Sequence, residues 1–545
     1  MSALLLILTL MLGTGGRRGQ QRPTQTYQIS GIVVDAASGA VVGGADVSIT
    51  IAGEETQAPT GGDGRFVFRG LAPGKYPLYA SAPGYVRQGY LQHGAYLTAI
   101  VVGSELDSQH IVFRLEPQAV IFGLVTDDRA EAVRGAEVML IRAENGDRTS
   151  APSLRSTTVT NDLGKYRFAY LLPGNYFVVV NARPWYAESR LEYLPAPRQA
   201  GRYGVLSNAN RKPDPALDVV YPITYYPGVT DESAAEALSL AAGEQEEADI
   251  QLQAVPAVHV RVANLPADNK NGIYFQASQK IFGSLVQQLQ YSSQGQVSPG
   301  EYEIAGLPPG RVTLVVRAGS GTEQSTQTLD ANLGTGDILD AAVTEAGAKV
   351  SGTVIFPGGT VPAQGQVTLI DTQNGNFSAS LRKDASFSFD TIPAGTYRVM
   401  LGLPVSDAYV REVSASGARI SGRRVTLGSA SDVRLSITMA RGVGQVTGVA
   451  KLDGKPTAGL MVLAVPESGM NLEQDSRMDQ SDSDGTFSLG NIVPGKYILM
   501  AIKDGWSLQW RRPGALKPYL AKGLQISIAP GEAAKVSVDA QRPAH

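Results

Sequence analysis

A single motif recurs five times along the 545 residues, and its spacing restricts the possible folds more than any other feature. In each copy an aromatic residue precedes a second bulky residue at a fixed interval (66 to 76 in the first), with a glycine between them. Because successive side chains of a strand alternate in direction, Phe66 and Phe68 share one face, and Pro-Gly predicts a tight turn. The five pairs of anchor residues are Phe66 and Tyr76, Tyr166 and Tyr176, Tyr302 and Val312, Phe387 and Tyr397, and Phe487 and Tyr497. Each copy is therefore predicted to be a β-hairpin packed on a hydrophobic core.

A second block precedes each hairpin and adds further strands. It alternates apolar residues around a glycine, as in Ile29-Ser-Gly31-Ile-Val33, whereas the third copy has Val258-His-Val260 where the others keep glycine. Another alternating run closes each copy, for example residues 111–115. About six or seven short strands per copy, separated by turn residues, are typical of a β-sandwich. The predicted fold class is all-β, a tandem array of about five Greek-key β-sandwich domains.

The repeat also predicts where the domains begin and end. Each closing strand runs almost directly into the next opening strand, and linkers that short predict a semi-rigid rod. The predicted segments are a signal peptide at 1–23 and β-sandwich repeats at 24–116, 117–254, 255–346, 347–441 and 442–545, of which the second carries an insertion at 187–230 and the third is degenerate. We number these sandwiches as the first to fifth repeats.

The N-terminus and the composition indicate export. A short apolar run, followed by small residues and Arg17-Arg18, is typical of a secretory signal peptide, and a buried N-terminal strand is the alternative. The chain has no cysteine, which excludes disulfides, thiolate metal sites and cysteine nucleophiles. With a formal charge of −3 and no long basic stripe, neither nucleic acid nor an anionic membrane surface is an expected partner, and no later stretch is long enough to span a bilayer. We expect a secreted, periplasmic or outer-surface protein.

The two shared blocks are similar to a known family. The patterns (I/V)-x-G-x-V and D-x-x-G-x-(Y/F)-x-F-x-x-L-x-P-G-x-Y resemble the carboxypeptidase regulatory-like domain, a prealbumin (transthyretin)-like sandwich also grouped with starch-binding-like folds. The resemblance extends over nearly all of the chain after the signal peptide. It implies a sandwich that has no catalytic residues of its own. The segment Val220–Gly228 is similar to a signature of exported proteins from soil bacteria related to the acidobacteria.

The motifs of common enzymes and metal sites are missing. The four histidines form neither an H-E-x-x-H nor an H-x-x-E pattern, so we expect no catalytic zinc and no cofactor. The serine-hydrolase, P-loop and dinucleotide signatures are missing too. The segment Asp479–Gly485 has the acidic residues of a calcium loop without the glutamate at its twelfth position, and an Asx turn entering the hairpin is the other interpretation. We therefore predict a non-enzyme without a metal site.

Loop aromatics are the candidate binding residues. Three copies place an aromatic residue after a small or turn residue in the loop that follows the second anchor, and all three tryptophans of the chain lie there. Flat side chains on loops can stack on sugar rings or anchor a protein partner, or they can close the end of the sandwich. The insertion, rich in Tyr and Arg, is either a binding loop or a loop folded back on its own sandwich. The candidates are Tyr85, Tyr90, Trp185, Tyr186, Trp506 and Trp510, with Tyr221, Tyr225 and Tyr226 in the insertion.

Two functions follow as hypotheses. The first is a non-catalytic extracellular or cell-envelope protein whose repeats act as a spacer and an interaction surface for a protein ligand. The second is binding of a polysaccharide at the cell surface through the loop aromatics, as the starch-binding-like resemblance implies. Because one fold serves many unrelated functions, the identity of the ligand has to be inferred from the residues of the site.

Overall fold

The computed structural model confirms an all-β chain of tandem sandwiches. It describes residues 26–543 except 52, 144–151, 189–213, 266–272, 284, 319–324, 335–337, 341–346, 360–361, 363, 372–374, 405–406, 430, 470–471 and 513. Nearly all regular elements are strands, and they form separate sheets. No helix within the described ranges is both long and apolar enough to cross a membrane. The predicted signal peptide, 1–23, lies outside the described residues.

The first repeat shows the architecture that the others share. Its strands are β1 (Tyr27–Asp35), β2 (Asp46–Ile51), β3 (Glu54–Pro59), β4 (Arg65–Leu71), β5 (Gly74–Ser81), β6 (Gln88–Gly89), β7 (Ala99–Val102) and β8 (Ile111–Leu115). The opening strand β1 lies between β4, which is antiparallel to it, and the closing strand β8, which is parallel to it. A second sheet has the order β3-β2-β5, with β6 and β7 both paired to β5. Phe66 and Tyr76 are buried between the two sheets.

The second repeat follows the same plan and adds short strands after its insertion. Its elements are β9 (Ala119–Thr126), β10 (Glu137–Ala143), β11 (Ser153–Val159), β12 (Lys165–Leu171), β13 (Gly174–Asn181), β14 (Val219–Val220), β15 (Thr224–Tyr225), a 3-10 helix (Glu232–Ala234), β16 (Leu238–Leu240), β17 (Gln245–Glu247) and β18 (Ile250–Gln251). The opening strand β9 pairs with β12 and, in parallel, with β17 and β18. The second sheet has the order β11-β10-β13, with β15 and β16 on β13.

The third repeat keeps the two-sheet plan despite its degenerate sequence. Its strands are β19 (Val255–Pro256), β20 (Val258–Ala263), β21 (Ile273–Ile281), β22 (Leu285–Leu289), β23 (Ser293–Ser298), β24 (Glu301–Leu307), β25 (Gly310–Ala318), β26 (Ser325–Leu333) and β27 (Ile338–Asp340). One sheet has the order β23-β24-β20-β27 and the other β22-β21-β25-β26. The short strand β19 pairs with β14, which ties this repeat to the preceding one.

The fourth repeat consists of two sheets of similar size. Its strands are β28 (Ala348–Ile355), β29 (Gln366–Asp371), β30 (Gly375–Ser380), β31 (Ser386–Ile392), β32 (Gly395–Gly402), β33 (Ala408–Ser416), β34 (Arg419–Ser421), β35 (Arg424–Leu427) and β36 (Asp432–Arg441). The orders are β31-β28-β36-β33 and β30-β29-β32-β35-β34. The opening and closing strands, β28 and β36, are again parallel neighbours.

The fifth repeat joins its two layers into one continuous sheet. Its elements are β37 (Gly444–Leu452), β38 (Lys455–Pro456), β39 (Met461–Pro466), α1 (Leu472–Asp475), β40 (Arg477–Gln480), β41 (Thr486–Ile492), β42 (Gly495–Ile502), a 3-10 helix (Gly505–Ser507), α2 (Lys517–Leu520), β43 (Leu524–Ile528) and β44 (Ala533–Gln541). Strand β44 pairs with β37 and also reaches β42, so it bridges the layers. Its second anchor, Tyr497, is buried in the core.

The Pro-Gly turn proves to be a corner between sheets. Strand β4 pairs with β1, whereas β5 belongs to the sheet of β2. The hydroxyl of Tyr76 donates to the carbonyl oxygen of Ala72 at 2.9 Å, and Tyr176, Tyr397 and Tyr497 make the same bond four residues back. Such tyrosine corners satisfy a carbonyl where the chain changes sheet. The predicted hairpin is therefore wrong, although the anchors do lie in adjoining strands of one core.

The glycine of the opening block is needed because the closing strand approaches closely. A Cβ atom on Gly123 would lie 2.3 Å from the carbonyl oxygen of Ala248, and one on Gly352 would lie 2.4 Å from the ring of Phe387. In the third repeat the strand register places Val262 opposite Tyr302, where the first repeat has Gly31 opposite Phe66. Val262 is fully buried, and Tyr302 is only partly buried beside the core. In the second, fourth and fifth repeats the ring of the first anchor packs over the glycine. In the third repeat Val262 takes the place of the glycine, and its aliphatic side chain fills that space.

Consecutive repeats pack against one another. A backbone hydrogen bond joins the Gly84 carbonyl of the first repeat to the N–H of Gln118 at the start of the second. The second and third repeats share one core, in which the rings of Tyr225 and Phe282 lie 5.4 Å apart. Strand β26 of the third lies against β31 of the fourth. Arg423 and Asp475 form an ion pair at 2.9 Å between the fourth and fifth.

The fifth repeat also contacts the first, so the array closes on itself. The turn at residues 480–483 hydrogen bonds to β7, and the ring of Trp506 stacks on that of His93. The predicted rod is therefore wrong. Short linkers limit the freedom between neighbours, but they do not prevent a consistent bend at each joint from bringing the two ends together.

Candidate functional site

Trp185 is the predicted binding aromatic that presents its ring to solvent. Its side chain is 79% exposed. It lies just after β13, in a turn that is closed by the bond from Ala187 N–H to Pro184 and by the Arg183 guanidinium, which donates to the Ala187 carbonyl at 3.0 Å. Because the turn is bonded on both sides, the backbone that carries the exposed indole is held in place.

Tyr186 and Arg129 lie beside Trp185. The Trp185 and Tyr186 rings meet edge to face with centroids 5.8 Å apart, and the Arg129 guanidinium lies 5.6 Å from the Tyr186 ring centroid. The Arg129 backbone N–H donates to the buried carboxylate of Asp127 at 2.9 Å, which fixes the turn that carries it. We name Trp185, Tyr186 and Arg129 the Trp185 platform. It combines an exposed ring face with a cationic donor of hydrogen bonds.

Tyr221 supports this platform from below. It is 4% exposed and interacts with Tyr186. Burial raises the pKa of the Tyr221 hydroxyl, and the neighbouring Tyr186 and Asp127 raise it further. The hydroxyl therefore remains protonated at neutral pH. The sequence places Tyr221 in the insertion, and the structure gives it a positioning role beneath Tyr186.

The remaining insertion tyrosines belong to cores. Tyr225 is 3% exposed in the core shared by the second and third repeats, and burial raises the pKa of its hydroxyl. Tyr226 packs partly buried against the core of the second repeat. The described part of the insertion, 187–188 and 214–230, thus folds back on its own sandwich, as one of the two alternatives predicted. Residues 189–213 lie outside the described part.

The first-repeat candidates are held by contacts within the protein. The Tyr85 hydroxyl donates to Asp35 at 3.0 Å, and burial together with this carboxylate raises the Tyr85 pKa. Backbone bonds from Ser38 in turn lower the pKa of Asp35. Tyr90 is half-buried with its ring 5.9 Å from that of Phe113, and burial raises its pKa. Both residues close the end of the sandwich.

Trp506 and Trp510 are likewise enclosed. The Trp506 ring lies parallel to His93 at 4.9 Å, and its indole N–H donates to the Gly459 carbonyl at 3.1 Å. Trp510 is 8% exposed in a small core on the outer face of β39 and β42. Although Trp185 and Trp506 occupy matching sequence positions, the contact between the first and fifth repeats covers Trp506.

The acidic segment before β41 forms a turn that contacts the first repeat. The Asp484 carboxylate accepts the backbone N–H of Thr486 at 2.9 Å, which is the Asx turn of the second interpretation. Asp482 instead binds Lys75 and the backbone N–H of Ala99. In the described ranges no group of three His, Asp or Glu side chains is arranged to hold a metal ion.

One polar cluster was not identified from the sequence. His259 lies between Asp218 of the second repeat, at 2.8 Å from Nε2, and Glu303 of the third, at 3.1 Å from Nδ1. The hydrogen bond to Glu303 and the charge of Asp218 raise the His259 pKa against the opposing effect of burial. The cationic Arg261 lies 3.8 Å from Glu303. The available signal was a histidine in an opening strand, a residue type that the other opening strands lack, but Asp218 is distant in sequence.

Comparison with known protein families finds one match. The family model of the carboxypeptidase regulatory-like domain matches residues 28–103 and 120–200. No curated protein matches the chain.

Solved structures to which parts of the chain are similar include three bacterial proteins. The Bacillus anthracis TIE protein is 11% identical over 74% of this chain and 68% of its own, with a TM-score of 0.15. A streptococcal ancillary pilin is 12% identical over 52% of this chain and 98% of its own, with a TM-score of 0.18. BcpA, the major pilin subunit of Bacillus cereus, is 10% identical over 77% of this chain and 99% of its own, with a TM-score of 0.15. From the family match, one stretch in each of the first two repeats is similar to the carboxypeptidase regulatory-like domain.

Proposed function

We propose that this chain is a non-catalytic exported protein whose repeats form a scaffold that presents a binding surface at the cell envelope or outside the cell. The family match to a regulatory-like domain and the signal-peptide pattern at 1–23 support this proposal. The exposure of Trp185 is the observation that carries it. Its counterpart Trp506 is covered by contacts within the chain, whereas Trp185 leaves a large ring open to solvent at a fixed position.

A protein partner is the first candidate ligand for the Trp185 platform. Tryptophan, tyrosine and arginine are the residues most enriched where truncation weakens protein binding, and here all three adjoin. The bonded turn under Trp185 reduces the ordering cost of binding, because the backbone of the turn does not need to be immobilised.

A polysaccharide is the second candidate, favoured by the geometry of the platform. An exposed indole face can stack on a sugar ring, and the Arg129 guanidinium beside Tyr186 can donate hydrogen bonds to hydroxyl or carboxylate groups. A carboxylated polysaccharide would use both features, and its binding should weaken as salt screens the charge.

The test compares Trp185→Ala in the full chain with Tyr274→Ala, which truncates a 62% exposed aromatic in the third repeat. Neutral and carboxylated polysaccharides are titrated by calorimetry, and envelope extracts are passed over both variants. We expect retention of one ligand by the wild type and by Tyr274→Ala, with at least tenfold weaker binding by Trp185→Ala. Equal retention by the two variants would exclude the platform as the site.

Export and the lack of catalysis are tested separately. Cells expressing the full chain should release it beyond the cytoplasmic membrane, and deletion of 1–23 should retain it. A panel of hydrolase substrates should show no turnover by the purified protein. Retention of the full chain in the cytoplasm, or turnover that copurifies with it, would contradict the proposal.

A further inference from the structure

The contact between the first and fifth repeats has the form of a docking site for a strand edge. Ser483 N–H donates to the Ala99 carbonyl at 3.0 Å, Ala99 N–H donates to Asp482 Oδ1 at 3.0 Å, and Val101 N–H donates to Ser483 Oγ at 2.8 Å. The turn of the fifth repeat thus satisfies the open edge of β7, a mode by which sheets recruit partners. We name this contact, with Lys75, His93, Thr98, Gln480, Ser481 and Trp506 around it, the clasp.

Polar bonds dominate the clasp. The Gln480 amide donates to the Leu91 carbonyl at 2.6 Å and to Thr98 Oγ1 at 2.8 Å, and its oxygen lies 3.0 Å from His93 Nδ1. Thr98 Oγ1 donates to the Ser481 carbonyl at 3.0 Å. Gln480 and Thr98 are nearly fully buried, so each bond is specific to this partner surface. Lys75 and Asp482 add an ion pair at the margin.

Two different surfaces meet in the clasp, one from each end of the chain. Such a heterologous contact can be satisfied within one molecule, or between one molecule and the next in an open series. Contacts between domains that are rich in polar groups separate more readily than apolar cores do. We propose that a second copy of this chain is the alternative partner of the clasp, its fifth repeat binding the first repeat of its neighbour to form head-to-tail chains.

Concentration decides between the two states. Linkage within one molecule gives the two clasp surfaces an effective concentration of about millimolar, so closed monomers predominate below it. Head-to-tail chains form as the protein concentration approaches that value, for example in a crowded envelope. The clasp is separate from the Trp185 platform, so this inference does not depend on the proposed function.

Engineered cysteines can distinguish the two states, because the natural chain has none. Val101→Cys and Ser483→Cys place the pair across the 2.8 Å contact of the clasp. The double variant is oxidised and examined by non-reducing electrophoresis. The two single variants are also mixed and oxidised from about 10 µM to about 1 mM, a range that approaches the expected effective concentration. The control mixture pairs Val101→Cys with Ser380→Cys, an exposed site in the fourth repeat.

We expect the double variant to cross-link within monomers, and the mixed single variants to form disulfide dimers that increase with concentration well above the control mixture. The proposal is overturned if the mixed variants give no more dimer than the control mixture, or if the double variant fails to cross-link within monomers. As the folding control, each single variant should unfold at the same temperature as the wild type. If Val101→Cys does not fold, Ala99→Cys with Ser483→Cys gives the same readout, because the Ser483 N–H donates to the Ala99 carbonyl.

Discussion

Truncation of one repeat anchor should destabilise its sandwich strongly. Phe387 is 1% exposed, and its ring meets Phe389 edge to face with centroids 6.0 Å apart. The same ring fills the space over Gly352 that a Cβ atom would otherwise enter. In Phe387→Ala this space becomes a cavity between two hydrogen-bonded sheets, which cannot collapse far without breaking their registers.

The magnitude follows from the burial of the ring. Burial of a phenylalanine side chain contributes about 1.5–3 kcal/mol, and the cavity left behind adds to the loss, so the free energy of unfolding should fall by about 3–5 kcal/mol. For a domain of roughly 60–100 residues, each kcal/mol lowers the melting temperature by about 4–8 °C. The transition of the fourth repeat should therefore move by more than about 10 °C.

Calorimetry of the full chain measures this shift, and hydrogen exchange of peptides from 386–402 assigns the transition to the fourth repeat. The matched control is Met400→Ala on the adjoining β32, where the side chain is 43% exposed. The control should change the stability by less than about 0.5 kcal/mol. Equal small shifts for both variants would refute the reasoning that the repeated aromatic marks a core position.

Three further results are expected. Gly123→Ala should destabilise the second repeat by about 1–3 kcal/mol in denaturant unfolding, because its Cβ would lie 2.3 Å from the Ala248 carbonyl oxygen. Tyr497→Phe should cost about 1 kcal/mol through loss of the corner hydrogen bond; no change would contradict a role for its hydroxyl. The raised pKa of His259 means that its stabilisation is complete below the ordinary value of 6.5 and is lost as pH rises through the raised value. The melting temperature of the joint between the second and third repeats should therefore fall over that pH window in the wild type. The same pH profile in His259→Gln would contradict the role assigned to His259.

The sandwiches could be predicted because their signals are local. Alternating apolar residues and turn glycines fix strands within about ten residues, and the anchors Phe66 and Tyr76 lie in one core as predicted. The corner was mistaken for a hairpin because both place two apolar strands around a Pro-Gly pair. The tyrosine hydroxyl, bonded four residues back, is the local signal that distinguishes the corner.

The candidate site was less predictable because exposure depends on distant residues. Trp185 and Trp506 follow their anchors at the same interval, yet Trp506 is covered by His93 from the opposite end of the chain. One signal was present in β7, whose residues Ala99–Val102 are all apolar and all buried. A continuous apolar run in a short strand indicates cover on both faces, whereas strands with one solvated face alternate.

Oxidative labelling of tryptophan in the native protein tests the account most directly. The chain has three tryptophans, and mass spectrometry of the labelled protein reports each of them separately. With Trp185 79% exposed, Trp510 8% exposed and Trp506 stacked on His93, we predict rapid labelling of Trp185 and slow labelling of the other two. Labelling of Trp506 as fast as Trp185 would contradict the closed array, and slow labelling of Trp185 would contradict its assignment as the exposed ring of the Trp185 platform.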